Sequence, residues 1–202
     1  MNINQFNLIT HNEHNYILGT KSVKDWKVYC ETAFNGLRCN VMNWNNPQYS
    51  RPITRIYYFG VFDSGNPNPT GLISESALNN KLSSKKTVLD HCLSPQFICR
   101  MILDNPDVYL VNYEEFQKMF WLSCQTIIVT QEENEQLSSL TTNNNDGYKV
   151  AIPTNLKYNH LGINLLKRLE GKTRWKDAVM LNSNLIDTPK ELLEYEEKFL
   201  IS

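Results

Sequence analysis

The sequence lacks a CxxC pair, an excess of either charge, an internal repeat and any apolar run long enough to cross a bilayer. Its five cysteines (Cys30, Cys39, Cys92, Cys99 and Cys124) are odd in number. They give no support to a disulfide framework or a four-sulfur zinc site. Buried free thiols in a reducing compartment are the expectation, and no structural zinc is expected. Twenty Lys and Arg oppose 21 Asp and Glu, for a net charge of −1. Bulk charge therefore does not draw the chain to nucleic acid; such binding would need a local cluster of positive side chains. The first twenty residues show no basic stretch followed by an apolar one, so a soluble, cytoplasmic protein without membrane contact is expected. What is present is enough apolar material for a core: 41% hydrophobic and 11% aromatic over 202 residues. Asparagine is abundant and Lys outnumbers Arg, a pattern of AT-rich coding sequence that is common in phages.

Local patterns predict an α+β fold. SVKDWKVYCETAF (22–34) has helical or mixed character, and 36–52 reads as loop, broken by Gly36, Asn45, Asn46, Pro47 and Pro52. RIYYFGVFD (55–63) has the aromatic and β-branched content of a strand, and SGNPNPTG (64–71) that of a loop. Ser74 caps a short helix over 74–82, and KTVLDHCL (86–93) reads as a strand. Pro95 opens a helix that Asn105-Pro106 ends, and NYEEFQKMFWLSC (112–124) is a second helix with Tyr113, Phe116, Met119 and Phe120 on one stripe. TIIVT (126–130) is a strand, and Thr130 with Glu133 forms a capping box that starts a helix through Asn134 to Leu140. TNNNDG (142–147) is a turn or exposed loop, YKVAIP (148–153) a strand, and 189–200 a terminal helix. The expected organisation is one interlocked domain over 1–202, with a small β-containing N-terminal region, a central unit over 86–140, and a helical C-terminal region.

The chemistry-bearing pattern lies in that central unit. Asp90-His91 closes a strand, a second strand follows, and a helix then carries Asn134. Phosphodiester cleavage needs an activated water and a stabilised leaving oxygen. An imidazole can take the proton, and a carboxylate with an amide oxygen suits a hard cation such as Mg²⁺. Neighbours on a strand point to opposite faces, so both Asp90 and His91 reach one phosphate only if the strand is ending or bulging there. Segment 95–125 becomes a two-helix insertion between the strands. The helix N-terminus beside Asn134 favours a bound anion.

These residues resemble the His-Me finger (ββα-metal, HNH-like) nucleases, and the Asp-His…Asn form is most like the endonuclease VII branch. The resemblance implies that His91 is the general base, and that Asp90 and Asn134 bind Mg²⁺ or another divalent cation such as Mn²⁺. It covers about residues 86–140. It departs from the branch in lacking zinc-binding cysteine pairs, in having Leu93 where a second His stands, in having Leu137 where an acid stands, and in its longer insertion.

Flanking positions are candidates for contacts with nucleic acid. Lys85 and Lys86 precede the strand, and Arg100 lies on the first inserted helix; a solvated loop and an ordinary amphipathic helix explain them equally. LLKRLEGKTRWKDA (165–178) is the densest basic run, with Lys172, Arg174, Trp175 and Lys176 as candidates, although Glu170 and Asp177 dilute it. The expectation is a metal-dependent endonuclease acting on double-stranded DNA, phage-encoded and homing-type, in the cytoplasm of an infected host. A cut in both strands needs two sites, hence a homodimer or two sequential nicks. The alternatives are a restriction-like or host-DNA-degrading phage nuclease, and a non-catalytic DNA-binding or accessory protein.

Overall fold

The structure, a computed structural model, describes residues 22–65, 67–144, 147–168, 175, 178–181 and 185–201. It is α+β. The chain divides into two compact units, each built from two separate stretches. The first uses the chain up to Asn68 together with Leu93–Gln125; the second uses Pro69–Cys92 and the chain from Thr126 onward.

The first unit is helical. It holds α1 (Ser22–Asn40), α2 (Pro47–Asp63), α4 (Pro95–Asp104), the single turn α5 (Pro106–Tyr109) and α6 (Tyr113–Ser123), with α3 belonging to the other unit. On α1, Trp26, Cys30, Ala33, Phe34 and Leu37 are buried, the spacing of one helix face. Segment 55–63, expected as a strand, is the second half of α2. Its aromatic content misleads, because the buried residues Ile53, Tyr57, Gly60 and Val61 recur at helical rather than alternating spacing. The expected loop over 36–52 is likewise largely helical. Asn46 is the N-cap of α2, its side chain accepting from the Gln48 N–H at 3.1 Å, and Pro47 takes the first helical position.

Aromatic rings dominate this core. Tyr57 meets Phe116 and Phe120 edge-on at 6.0 and 5.4 Å, and Trp26 meets Trp121 at 4.9 Å. Ser123 Oγ donates to the Met119 carbonyl at 3.0 Å, so the buried Tyr57 hydroxyl donates to Ser123 Oγ at 2.6 Å. Close helix approach needs glycine at Gly60, where an added Cβ would stand 3.1 Å from the fully buried Phe120 ring. The insertion between the strands therefore contains three helices rather than two, and it packs with α1 and α2 as one unit.

The second unit holds β1 (Asn68–Ser74), α3 (Glu75–Leu82), β2 (Val88–His91), β3 (Gln125–Val129), α7 (Gln131–Ser139), β4 (Thr141–Asn144), β5 (Gly147–Val150), α8 (Lys157–His160), β6 (Leu165–Lys167), β7 (Val179–Met180) and α9 (Lys190–Glu196). Five strands form one sheet in the order β2-β3-β1-β6-β7, and β4 pairs with β5. The β-containing region thus lies downstream of the N-terminal helices: β5 overlaps the strand expected over 148–153, β4 takes up part of the turn or loop expected over 142–147, and β6 and β7 lie in the C-terminal region expected as helical. β1 occupies part of the expected loop 64–71; its pairing with β6, Leu72 opposite Lys167 through Ser74 opposite Leu165, sets it as a strand. Ile73, Ala77 and Leu166 form a buried cluster, against which Leu78, Ile128, Trp175 and Ala178 pack. No helix among the described residues is long and apolar enough to cross a membrane.

Gly60→Val is expected to destabilise the protein by about 1–3 kcal/mol through overpacking against Phe120, read as a lowered urea midpoint at unchanged m-value. A midpoint equal to that of the wild type would mean that the ring yields.

Candidate active site

Asp90 and His91 are the last two residues of β2. Both keep regular antiparallel register with β3, Asp90 opposite Ile127 and His91 opposite Thr126. Strand alternation assigns Val88 and Asp90 to one face with Ile127 and Val129, and Leu89 and His91 to the other with Thr126 and Ile128. The first face is dry, since Ile127 and Val129 are fully buried. A carboxylate on such a face needs hydrogen bonds and a cation.

Both come from α8. Lys157 Nζ lies 2.7 Å from Asp90 Oδ2 and donates also to the His91 carbonyl oxygen at 2.7 Å. The Tyr158 hydroxyl donates to the same Oδ2. Only 12% of the Lys157 side chain and 13% of the Asp90 side chain are exposed, so this is a largely desolvated ion pair. Burial, and then the neighbouring Asp90 charge, push the Tyr158 phenol well above its usual range, which keeps it a donor. Cys92 follows His91 and is fully buried; burial pushes its thiol up to about 12 against the pull of Lys157. It is no thiolate nucleophile. Sequence reasoning missed Lys157 and Tyr158, which lie 67 and 68 positions from Asp90.

The helix that carries Asn134 begins as expected. Thr130 Oγ1 accepts from the Glu133 N–H at 3.1 Å, and Glu133 Oε2 accepts from the Thr130 N–H at 2.8 Å. Glu133 also receives the Ser74 hydroxyl at 2.5 Å, which ties α7 to the end of β1. The Asn134 N–H is already committed to the Thr130 carbonyl at 3.1 Å. Glu132 and Glu133 occupy the first turn, so this helix start carries its own negative charge, which opposes the anion expected there. α7 packs against β2.

At this site one oxygen of Asp90 and the amide oxygen of Asn134 have no hydrogen bond to a described residue. Asp90 accepts only through Oδ2, which leaves Oδ1 without a donor, and the half-buried Asn134 side chain makes no hydrogen bond. One carboxylate oxygen and one amide oxygen are the donor types a hard divalent cation takes. The described residues contain no group of three or more His, Cys, Asp or Glu that could hold a metal.

The flanking candidates fall in different places. Lys85 and Lys86 are exposed in the loop before β2, and the Lys85 charge helps hold the Glu132 carboxyl below its usual range, after a backbone hydrogen bond and the Thr130 hydroxyl. Arg100 belongs to the helical unit, where its guanidinium lies 5.3 Å from the Trp44 ring centre and Trp44 Nε1 donates to Asp104 at 2.7 Å. Packing accounts for it there. Trp175, a candidate for meeting nucleic acid, is half-buried and packs on the Ile73–Ala77–Leu166 cluster, with Arg168 5.1 Å from its ring centre. Lys172, Arg174 and Lys176 lie outside the described residues.

A second buried acid stands near Lys157. Glu196 accepts from the Thr154 N–H at 2.8 Å and from the Thr154 hydroxyl. Burial raises its carboxyl, and Thr154 and the Lys157 charge draw it part of the way back. Comparison with protein-family models, with curated proteins and with solved structures gave no match.

Two outcomes follow from these networks. Lys157→Met leaves a buried carboxylate unpaired and is expected to cost about 3–5 kcal/mol; Tyr158→Phe, which loses one hydrogen bond to a charge, is expected to cost about 1.5–3 kcal/mol. Urea denaturation checks the order, and equal, negligible losses would contradict the desolvated pair. Glu196 binds its proton more tightly folded than unfolded. Its contribution is therefore fully present below the unfolded carboxyl value, about 4.3, and is lost as pH rises through the folded value. The stability of wild type relative to Glu196→Gln should fall as pH rises across that window; a difference that grows with pH would reverse the sign.

Proposed function

We propose that the protein is a divalent-metal-dependent DNA endonuclease, with His91 as general base and Asp90 and Asn134 as metal ligands. The observation that supports this reading is the succession of β2, β3 and α7: two antiparallel strands, then a capped helix packed back on the first of them. Asp90-His91 ends that strand, and Asn134 stands in the first turns of that helix. The uncommitted Asp90 Oδ1 and Asn134 amide supply the oxygens that such a reading requires.

β2 is an edge strand of the five-stranded sheet. In this reading a phosphodiester lying along that edge would meet His91 from one face of the strand and Asp90 Oδ1 from the other. His91 takes the proton of the attacking water at a ring nitrogen. Lys157 and Tyr158 hold Oδ2, which fixes the carboxylate and limits Asp90 to one remaining oxygen. A bound Mg²⁺ or Mn²⁺ supplies charge to the phosphate and the leaving 3′ oxygen. In this reading Lys85 and Lys86, exposed just before β2, contact phosphates beside the cut. In this reading the substrate is duplex DNA, the protein acts as a homodimer where both strands are cut, and its setting is a phage homing-type nuclease.

A second reading is a non-catalytic DNA-binding protein. The Lys157–Asp90–Tyr158 network favours it, because a buried ion pair explains Asp90 without chemistry.

Plasmid cleavage with Mg²⁺ or Mn²⁺ separates the two. The wild type is expected to nick or linearise DNA only with the metal, and His91→Ala to lose about 10²–10⁴-fold in rate. Asn134→Ala should need more metal for the same rate. Equal inactivity of wild type and His91→Ala across metals and substrates would leave the binding protein.

A further inference from the structure

The outward face of α2 carries a second pattern. Arg51, Arg55, Tyr58, Phe59 and Phe62 recur at intervals of four, three, one and three, which is one stripe of a helix. The buried stripe of the same helix, Ile53, Tyr57, Gly60 and Val61, lies on the opposite side. Phe59 is 62% exposed and Phe62 55%, although both could have been polar at no cost to the core. Phe62 stacks on Tyr58 at 5.7 Å and 8°, and the Tyr58 hydroxyl donates to Gln96 Oε1 at 3.0 Å. Tyr58 is thus tied to α4, with Phe62 stacked on it. Arg51 and Arg55 are exposed, and no carboxylate pairs with either among the described residues.

We infer that this stripe binds single-stranded nucleic acid, with the guanidiniums on backbone phosphates and the Phe59 and Phe62 faces under unstacked bases. Helical rise sets the two arginines ~6 Å apart along the axis, followed by the rings at the other end of the stripe. Unneutralised cations beside exposed aromatic faces are the combination that single strands use: charge tracks the backbone and π-faces take any base. A protein partner would have to bury both guanidiniums against acids. The inference rests on the nuclease reading for its choice of nucleic acid as occupant, and it names unpaired rather than paired bases as what this unit holds.

The test is fluorescence anisotropy of the full chain with a labelled unstructured oligodeoxynucleotide and with its duplex, in EDTA so that binding is read without cleavage. Single-strand binding is expected to depend on the stripe, and duplex binding, which also engages the proposed cleavage site, to depend on it less. Phe59→Ala and Phe62→Ala should each weaken it about 5–150-fold, with unchanged circular dichroism. Arg51→Ala combined with Arg55→Ala should reduce the slope of log affinity against log salt by about 1.4. Equal binding by all variants would overturn the inference. So would sedimentation showing a wild-type dimer that Phe59→Ala and Phe62→Ala disperse, since a second copy would then cover the face. Loss of the stripe's role with His91-dependent cleavage intact would remove this inference alone; intact binding with no cleavage by any form would remove the nuclease reading alone.

Discussion

A desolvated ion pair organises the candidate site. Asp90 stands on a strand face lined by Ile127 and Val129, where an unpaired carboxylate would be strongly unfavourable. Lys157 and Tyr158 answer that charge from one turn of helix, and Lys157 reaches past it to the His91 carbonyl. The same ammonium therefore fixes the orientation of the carboxylate and closes the end of β2. One oxygen of Asp90 is committed to the fold and one is not. Under the proposed reading, that division would let a single side chain hold structure and also serve as a ligand.

The capping box at Thr130 and Glu133 fixes the position of Asn134. It starts α7 at a defined residue, and the Ser74 hydroxyl bonded to Glu133 ties that start to β1. Asn134 is thus set by covalent and hydrogen-bonded neighbours on both sides. The helical insertion between β2 and β3 leaves their pairing regular, because its apolar faces pack with α1 and α2 in a unit of their own. Two strands separated by three helices can then still meet as neighbours.

Much of this was legible from local signals. The Ser74 cap, Pro95 at the first position of its helix, the Thr130 box and the strands around Asp90 and Ile127 all stand where their residues indicate, because caps and turns act over three or four positions. α2 was not legible from composition. Its aromatic run has strand character, and only the burial of Ile53 and Tyr57 on one face, with Asn46-Pro47 read as a cap rather than a break, reveals the helix. β1 is held by pairing with a strand far downstream, which Asn, Pro and Gly do not announce. Lys157 carries no mark in its own neighbourhood. The sign that a partner was needed lay at Asp90, an acid in an apolar strand, and nothing along the chain says which lysine meets it.

The proposed chemistry stands on whether Asp90 Oδ1 and the Asn134 amide oxygen hold one cation. Anomalous diffraction from crystals of the full chain soaked in Mn²⁺ reads this directly. The account predicts a single strong peak bonded to those two oxygens, beside the His91 ring, with Lys157 still paired to Oδ2. A well-ordered site at saturating Mn²⁺ with no peak there, or with manganese held only by other residues, would contradict it.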